Sequence, residues 1–169
     1  MKTSFLASLS LALALAFSGG AAAAAANVGQ AAPAFSATDV NGKTVSLAEL
    51  KGKTVVLEWV NPECPYVRKH YGSANMQATQ QAATAKGVVW LAVNSTDTRH
   101  VDYKPPPAMA AWMKLQRAVP SATLMDAEGR VGRAYGARTT PHMYVIDARG
   151  TLGYAGGIND KPSANPADV

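Results

Sequence analysis

Residues 54–70 read TVVLEWVNPECPYVRKH. Thr54 to Val60 is β-branched and apolar and is bounded by turn residues, which predicts a buried strand. Asn61-Pro62-Glu63 breaks it. Pro65 suits the first position of a helix and puts Cys64 at the cap. The predicted helix runs from Pro65 to about Lys86, with Val67, Tyr71 and Met76 facing inward and Gly87 ending it. Unpaired N–H groups and the helix dipole at that end favour a thiolate, the nucleophilic form of cysteine. Arg68, Lys69 and His70 add positive charge nearby. Read alone, one cysteine suits a buried, inert thiol. Strand, turn, Cys-Pro and helix in series point instead to a reactive one.

Cys64 is the single cysteine of a 169-residue chain. That count excludes an intrachain disulfide and the four-ligand zinc frameworks built on two or more cysteines. The length suits one domain. The net charge is +5, but the lysines and arginines are scattered, and Arg68-Lys69-His70 is the longest basic run. A solvated basic surface is read here rather than a nucleic-acid site.

Met1-Lys2 opens with a positive charge, and Phe5 to Phe17 (FLASLSLALALAF) is almost wholly apolar or small. Ala21 to Ala26 offers A-x-A cleavage sites. Residues 1–26 read as a secretory signal peptide, leaving 27–169 as the domain. The alternative is an uncleaved anchor. The apolar core is about 13 residues, short of the roughly 20 that span a membrane. No cysteine follows it, which argues against a lipid-anchored form. The expected location is outside the cytoplasm, in a periplasm, with no membrane contact after cleavage.

Further along, Asn41-Gly42 is a hairpin signal and Thr44 to Leu47 its returning strand. Val88 to Asn94 is a second buried strand. Pro105-Pro106-Pro107 closes a loop, Ala108 to Ala118 reads as a helix, and Ala122 to Met125 as a short strand. Residues 142–147 and 151–155 form a last hairpin. Asp126 to Gly132 and Asp147 to Gly153 look alike and read as two strand–turn–strand corners. Strands alternating with helices predict an α/β sandwich with mixed pairing. Thr140-Pro141 precedes a strand, where the peptide bond is either an ordinary trans one or cis. His142 reads as a core or surface histidine rather than a catalytic one.

Four stretches then carry a resemblance. They are Val28 to Phe35 (VGQAAPAF), Asp39 to Lys43 followed by Leu47 to Lys53 (LAELKGK), Cys64-Pro65-Tyr66-Val67, and Thr140-Pro141 through Gly150. In order and spacing, the chain resembles thioredoxin-fold proteins of the redoxin group. That group holds peroxiredoxins of the alkyl hydroperoxide reductase/thiol-specific antioxidant type and exported thiol–disulfide oxidoreductases. The resemblance implies a central mixed sheet flanked by helices, with an N-terminal hairpin extension. It implies that Cys64 is the redox-active sulfur, that Pro141 is cis and beside it, and that the Thr140 backbone bonds a bound thiol or peptide. Trp59 and Tyr66 would line the site, with Asn61, Pro65 and Arg68 supporting it. No cofactor and no metal are implied.

Three departures qualify this. The second cysteine of a dithiol oxidoreductase is replaced by Val67, so any resolving thiol comes from outside the chain. The peroxiredoxin pattern P-x-x-x-T/S-x-x-C has Leu57 and Asn61 at its first two places. Asn61 has a hydrogen bond to give to a peroxide; Leu57 does not replace the proline. The fold's closing helix is expected to be missing, because Asn165-Pro166-Ala167-Asp168 reads as a helix start and the sequence runs only to Val169. The leading expectation is a thiol oxidoreductase that acts on peroxide or disulfides through Cys64. Its partner would be a thiol reductant or a protein disulfide. The alternative is a non-enzymatic binder holding a client as a mixed disulfide, or Cu(I) through Cys64 with His142 or His70.

Overall fold

The computed structural model describes residues 26–169, so the signal-peptide reading of the first 25 residues lies outside it. In chain order the elements are β1 (Ser36–Asp39), β2 (Thr44–Ser46), β3 (Val55–Trp59), α1 (Pro65–Gly72), α2 (Asn75–Thr84), β4 (Val89–Asn94), α3 (Pro106–Leu115), β5 (Ala122–Met125), α4 (Arg130–Tyr135), β6 (His142–Ile146) and β7 (Leu152–Gly156). A single 3-10 turn, Leu47–Leu50, follows β2. One mixed sheet takes the order β2-β1-β5-β4-β3-β6-β7.

β3 lies deep in this sheet, parallel to β4 and antiparallel to β6, with Trp59 opposite both Val93 and His142. Every residue of it is buried. Successive side chains point to opposite faces, and this alternation divides the core in two. Val55, Leu57 and Trp59 pack with Leu91, Val93, Tyr144 and Ile146, under α4 residues Val131 and Tyr135. Val56 and Val60 face the other way, with Trp90, Ala92 and Met143, under Val67, Tyr71, Met76, Met109 and Met113 from α1, α2 and α3. Strands thus lie between two helical layers, the mixed α/β sandwich that the resemblance implies.

Three local expectations are corrected. The helix expected over 65–86 is two helices. Ser73 Oγ donates to the Lys69 carbonyl at 2.8 Å, and Ala74 takes a left-handed φ of 62°. A poor helix former at Gly72 and a serine that bonds back to the preceding turn break the ladder there. The helix expected from Ala108 begins two residues earlier, because prolines in a first turn lose no hydrogen bond. It also ends earlier, at Leu115, just before Arg117 with its φ of 55°.

The third correction concerns the corner at Asp126–Gly132, which leads into α4 rather than into a strand. Both aspartates hold their turn by accepting backbone N–H groups: Asp126 from Val131 and Gly132, Asp147 from Arg149 and Thr151. The residues after each turn decide the outcome. Val131 and Tyr135 are spaced for one helix face, whereas Leu152 onward pairs with β6 as a strand. Asp126 also accepts from Ser95 Oγ at 2.6 Å. Asp126→Ala is expected to lower stability by about 2–3 kcal/mol, since it strands two buried N–H groups; urea unfolding measures it.

Beyond β7 the described residues contain no further helix. Ala167 N–H bonds Asn165 Oδ1 at 3.0 Å, so the expected cap makes a turn. The segment lies across α1, where Lys69 Nζ donates to the Ser163 carbonyl at 2.8 Å and Ile158 packs on the helical-side core.

Candidate functional site

Cys64 caps α1 with an extended backbone (φ −70°, ψ 124°), Pro65 opens the helix, and the thiol is partly exposed. Its Sγ donates to the Thr140 carbonyl at 2.9 Å. Thr140–Pro141 is cis, and register explains the juxtaposition. Trp59 at the end of β3 pairs with His142 at the start of β6. The turn leaving β3 and the loop entering β6 are therefore neighbours, and they carry Cys64 and Thr140. The contact holds the sulfur against the loop that carries the cis bond.

The Asn61–Glu63 turn is held by its own side chains. Glu63 N–H bonds Asn61 Oδ1 at 2.8 Å, and Asn61 Nδ2 reaches Asp102 at 3.4 Å. Arg68 Nε donates to the Pro62 carbonyl at 2.9 Å, and its guanidinium pairs with Glu63. Lys104 Nζ pairs with Glu63 from the other side at 2.7 Å. This Lys104 bond holds the Glu63 carboxyl below the usual range. Arg68 therefore braces the turn rather than facing the sulfur. Lys69 is 1% exposed and points to Ser163. His70 is buried, its Nδ1 on Asn75 Nδ2 at 2.8 Å. Burial, with the neighbouring Lys69 charge, lowers its pKa. The basic triplet expected around the thiol thus faces three other directions.

Two open grooves meet at Thr140. One, of about 210 Å³, is lined by Trp59, Asn61, Ser95, Arg138 and Thr140, among others. The other, of about 230 Å³, is lined by Tyr66, His70, Thr140, Pro141, Ile158 and Lys161, among others. Trp59 is buried, donates from Nε1 to Ser95 Oγ at 3.0 Å and packs its ring on Tyr135 and Tyr144. Tyr66 is 43% exposed. His142 is half-buried against Tyr144, and burial lowers its pKa. Among the described residues no three His, Cys, Asp or Glu side chains are grouped to hold a metal ion.

Sequence reasoning missed the polar cluster under the site. Glu58, one residue before Trp59, is fully buried on the side covered by α1, α2 and α3. Its carboxylate accepts from Trp90 Nε1 at 2.7 Å, Tyr71 Oη at 2.8 Å and Gln80 Nε2 at 3.0 Å. Burial raises its pKa, and the three donors moderate the rise. The available signal was a lone carboxylate inside an otherwise apolar strand.

An AhpC/TSA family model matches residues 28–155, so the chain belongs to the AhpC/TSA family. The thiol-disulfide oxidoreductase ResA of Bacillus cereus is 29% identical over 116 residues. That match covers 62% of this chain and 66% of the relative, so the chain spans just under two thirds of the relative's length. A solved, uncharacterised conserved protein from Geobacillus kaustophilus is 27% identical, with a TM-score of 0.72, over 80% of this chain and 71% of that one. The thioredoxin domain of a Bacteroides vulgatus thiol-disulfide oxidoreductase shares the fold at a TM-score of 0.60 and 23% identity, over 76% of this chain and 87% of its own. The fold is thioredoxin-like.

Proposed function

We propose that this protein is an exported thiol oxidoreductase that works through one sulfur. Residues 1–26 serve as its signal peptide, and among the described residues no helix is long and apolar enough to cross a membrane. The observation that carries the reading is Cys64 Sγ, partly exposed at the start of α1 and bonded to the carbonyl of the cis Thr140–Pro141 pair. The matched ResA bears the name thiol-disulfide oxidoreductase, and the reading extends that chemistry to this chain. Cys64 attacks a disulfide sulfur, one half leaves as a thiol, and a mixed disulfide remains. Val67, at the second-cysteine place, is 0% exposed and apolar. An external thiol must therefore release Cys64.

Disulfide exchange suits the site better than peroxide reduction. The Asn61 amide faces Asp102, and Arg68 faces Glu63 and Pro62. No side-chain donor among the described residues bonds Cys64. Mass spectrometry after mixing with 2,2′-dithiodipyridine is expected to show one adduct, removed by added thiol. Cys64→Ser is expected to lose the adduct completely. An equal adduct on both proteins sinks the proposal.

A further inference from the structure

Each of the two grooves meeting at Thr140 carries a cation that has no ion-pair partner among the described residues. Arg138 stands in the groove walled by Trp59, Ser95 and Asn61. Lys161 stands in the groove walled by Tyr66, His70 and Pro141. Other cations are paired: Arg68 and Lys104 share Glu63, and Arg99 holds Asp97. Asp102, beyond Asn61, faces His100 Nδ1 at 3.9 Å. A cation without an ion pair therefore stands on each side of the residue whose carbonyl touches Cys64 Sγ. The grooves, about 210 and 230 Å³, are each below the roughly 300–1,000 Å³ of a drug-sized pocket. Each takes a fragment, not a folded domain.

Resting on the reading of Cys64 as an exchanging thiol, we infer that its preferred co-substrate is a small, carboxylate-bearing disulfide and the corresponding thiol. Cys64 gives its proton to solvent, and its sulfur attacks one sulfur of R–S–S–R. The old S–S bond breaks, one R–S⁻ leaves and takes up a proton, and Cys64–S–S–R forms. A second thiol, R′–SH, attacks the R sulfur as its thiolate, the Cys64–S bond breaks, Cys64 takes back a proton, and R–S–S–R′ leaves, so the disulfide is passed from R to R′. Carboxylates on R lie toward Arg138 on one side of Thr140 and toward Lys161 on the other. A low-dielectric groove with one sign of charge raises the encounter rate of an opposite charge.

The test compares the dianionic 5,5′-dithiobis(2-nitrobenzoate) with the neutral 2,2′-dithiodipyridine in stopped flow. Arg138→Gln and Lys161→Gln are both expected to slow the dianion, each by about 3- to 10-fold, and to leave the neutral rate unchanged. Raising salt is expected to slow the dianion on the parent protein toward the variants' rate. Equal slowing of both probes, or of neither, overturns the inference. A Cys64 inert to the neutral probe overturns the exchange reading itself, so the two failures are distinguishable.

Discussion

Replacing Glu58 by alanine is expected to lower the unfolding free energy by about 4 kcal/mol, more than any other single substitution considered. The carboxylate is fully buried and gathers Trp90 Nε1, Tyr71 Oη and Gln80 Nε2 from β4, α1 and α2. Without it, Trp90 has a buried N–H and no acceptor, and a cavity opens behind β3. Tyr71 Oη and Gln80 Nε2 retain each other, at 3.1 Å, and Gln80 Oε1 keeps the Val119 N–H. Glu58→Gln keeps one acceptor oxygen and the volume, so its cost is smaller, about 1–2 kcal/mol. The pH dependence separates these roles. Burial raises the folded-state pKa of Glu58 above its ordinary 4.5. The folded protein then holds that proton more tightly than the unfolded chain does. The contribution is fully present below the ordinary value of 4.5 and is lost as pH rises through the raised folded value. Urea unfolding across about pH 4 to 8 is expected to show this decline in the parent and less of it in Glu58→Gln. The same slope in both would remove Glu58 as its source.

If Cys64 exchanges with disulfides as proposed, Val67→Cys is expected to make the exchange self-resolving. Positions 64 and 67 lie three apart across the first turn of α1, where side chains share a face at about 5–6 Å between Cβ atoms. A disulfide needs about 3.5–4.5 Å. The turn must close by roughly an ångström, at a helix end where such movement is cheapest. An internal thiol acts at an effective concentration of about a millimolar or more. Against ~10 μM external thiol, the lifetime of the Cys64 mixed disulfide is therefore expected to shorten by about 100-fold. Stopped-flow release of the bound half measures it, and mass spectrometry should find the chain two hydrogens lighter. Unchanged lifetimes would mean that the introduced thiol cannot reach the bridge.

The parts of the fold that were legible in the sequence rest on local physics. TVVLEWV is apolar almost throughout, as a strand buried on both faces must be, and Pro65 and Asn41-Gly42 are strong local punctuation. These placed β3, α1 and the first hairpin. The break at Ser73–Ala74 was missed because it depends on a serine turning back onto its own helix, one rotamer among several. The α4 corner was missed because Asp-x-x-Gly chemistry is the same before a helix and before a strand. At the candidate site, Cys64 was read from its place between strand and helix, and Thr140 through the family resemblance. The directions of Arg68, Lys69 and His70 were not, because a helix spreads three consecutive side chains around its axis. Arg138 and Lys161 lie 74 and 97 positions from Cys64, and only the sheet register brings their loops to one place.

The strand and helix that wall one groove, and the strap that walls the other, will not yield equally. The Arg138 side is backed by β3, by the Trp59–Ser95–Asp126 chain of hydrogen bonds and by the packed rings of Tyr135 and Tyr144. The Lys161 side is backed by the chain after β7, held by the Lys69 bond to the Ser163 carbonyl and by Ile158 on the core. Lifting that strap hands Lys69 to water, which replaces the lost acceptor, so much of the cost of opening is returned. The sulfur thus sits between an anvil and a spring. Under the proposed reading, a bulkier attached group is expected to be accommodated on the strap side rather than against β3.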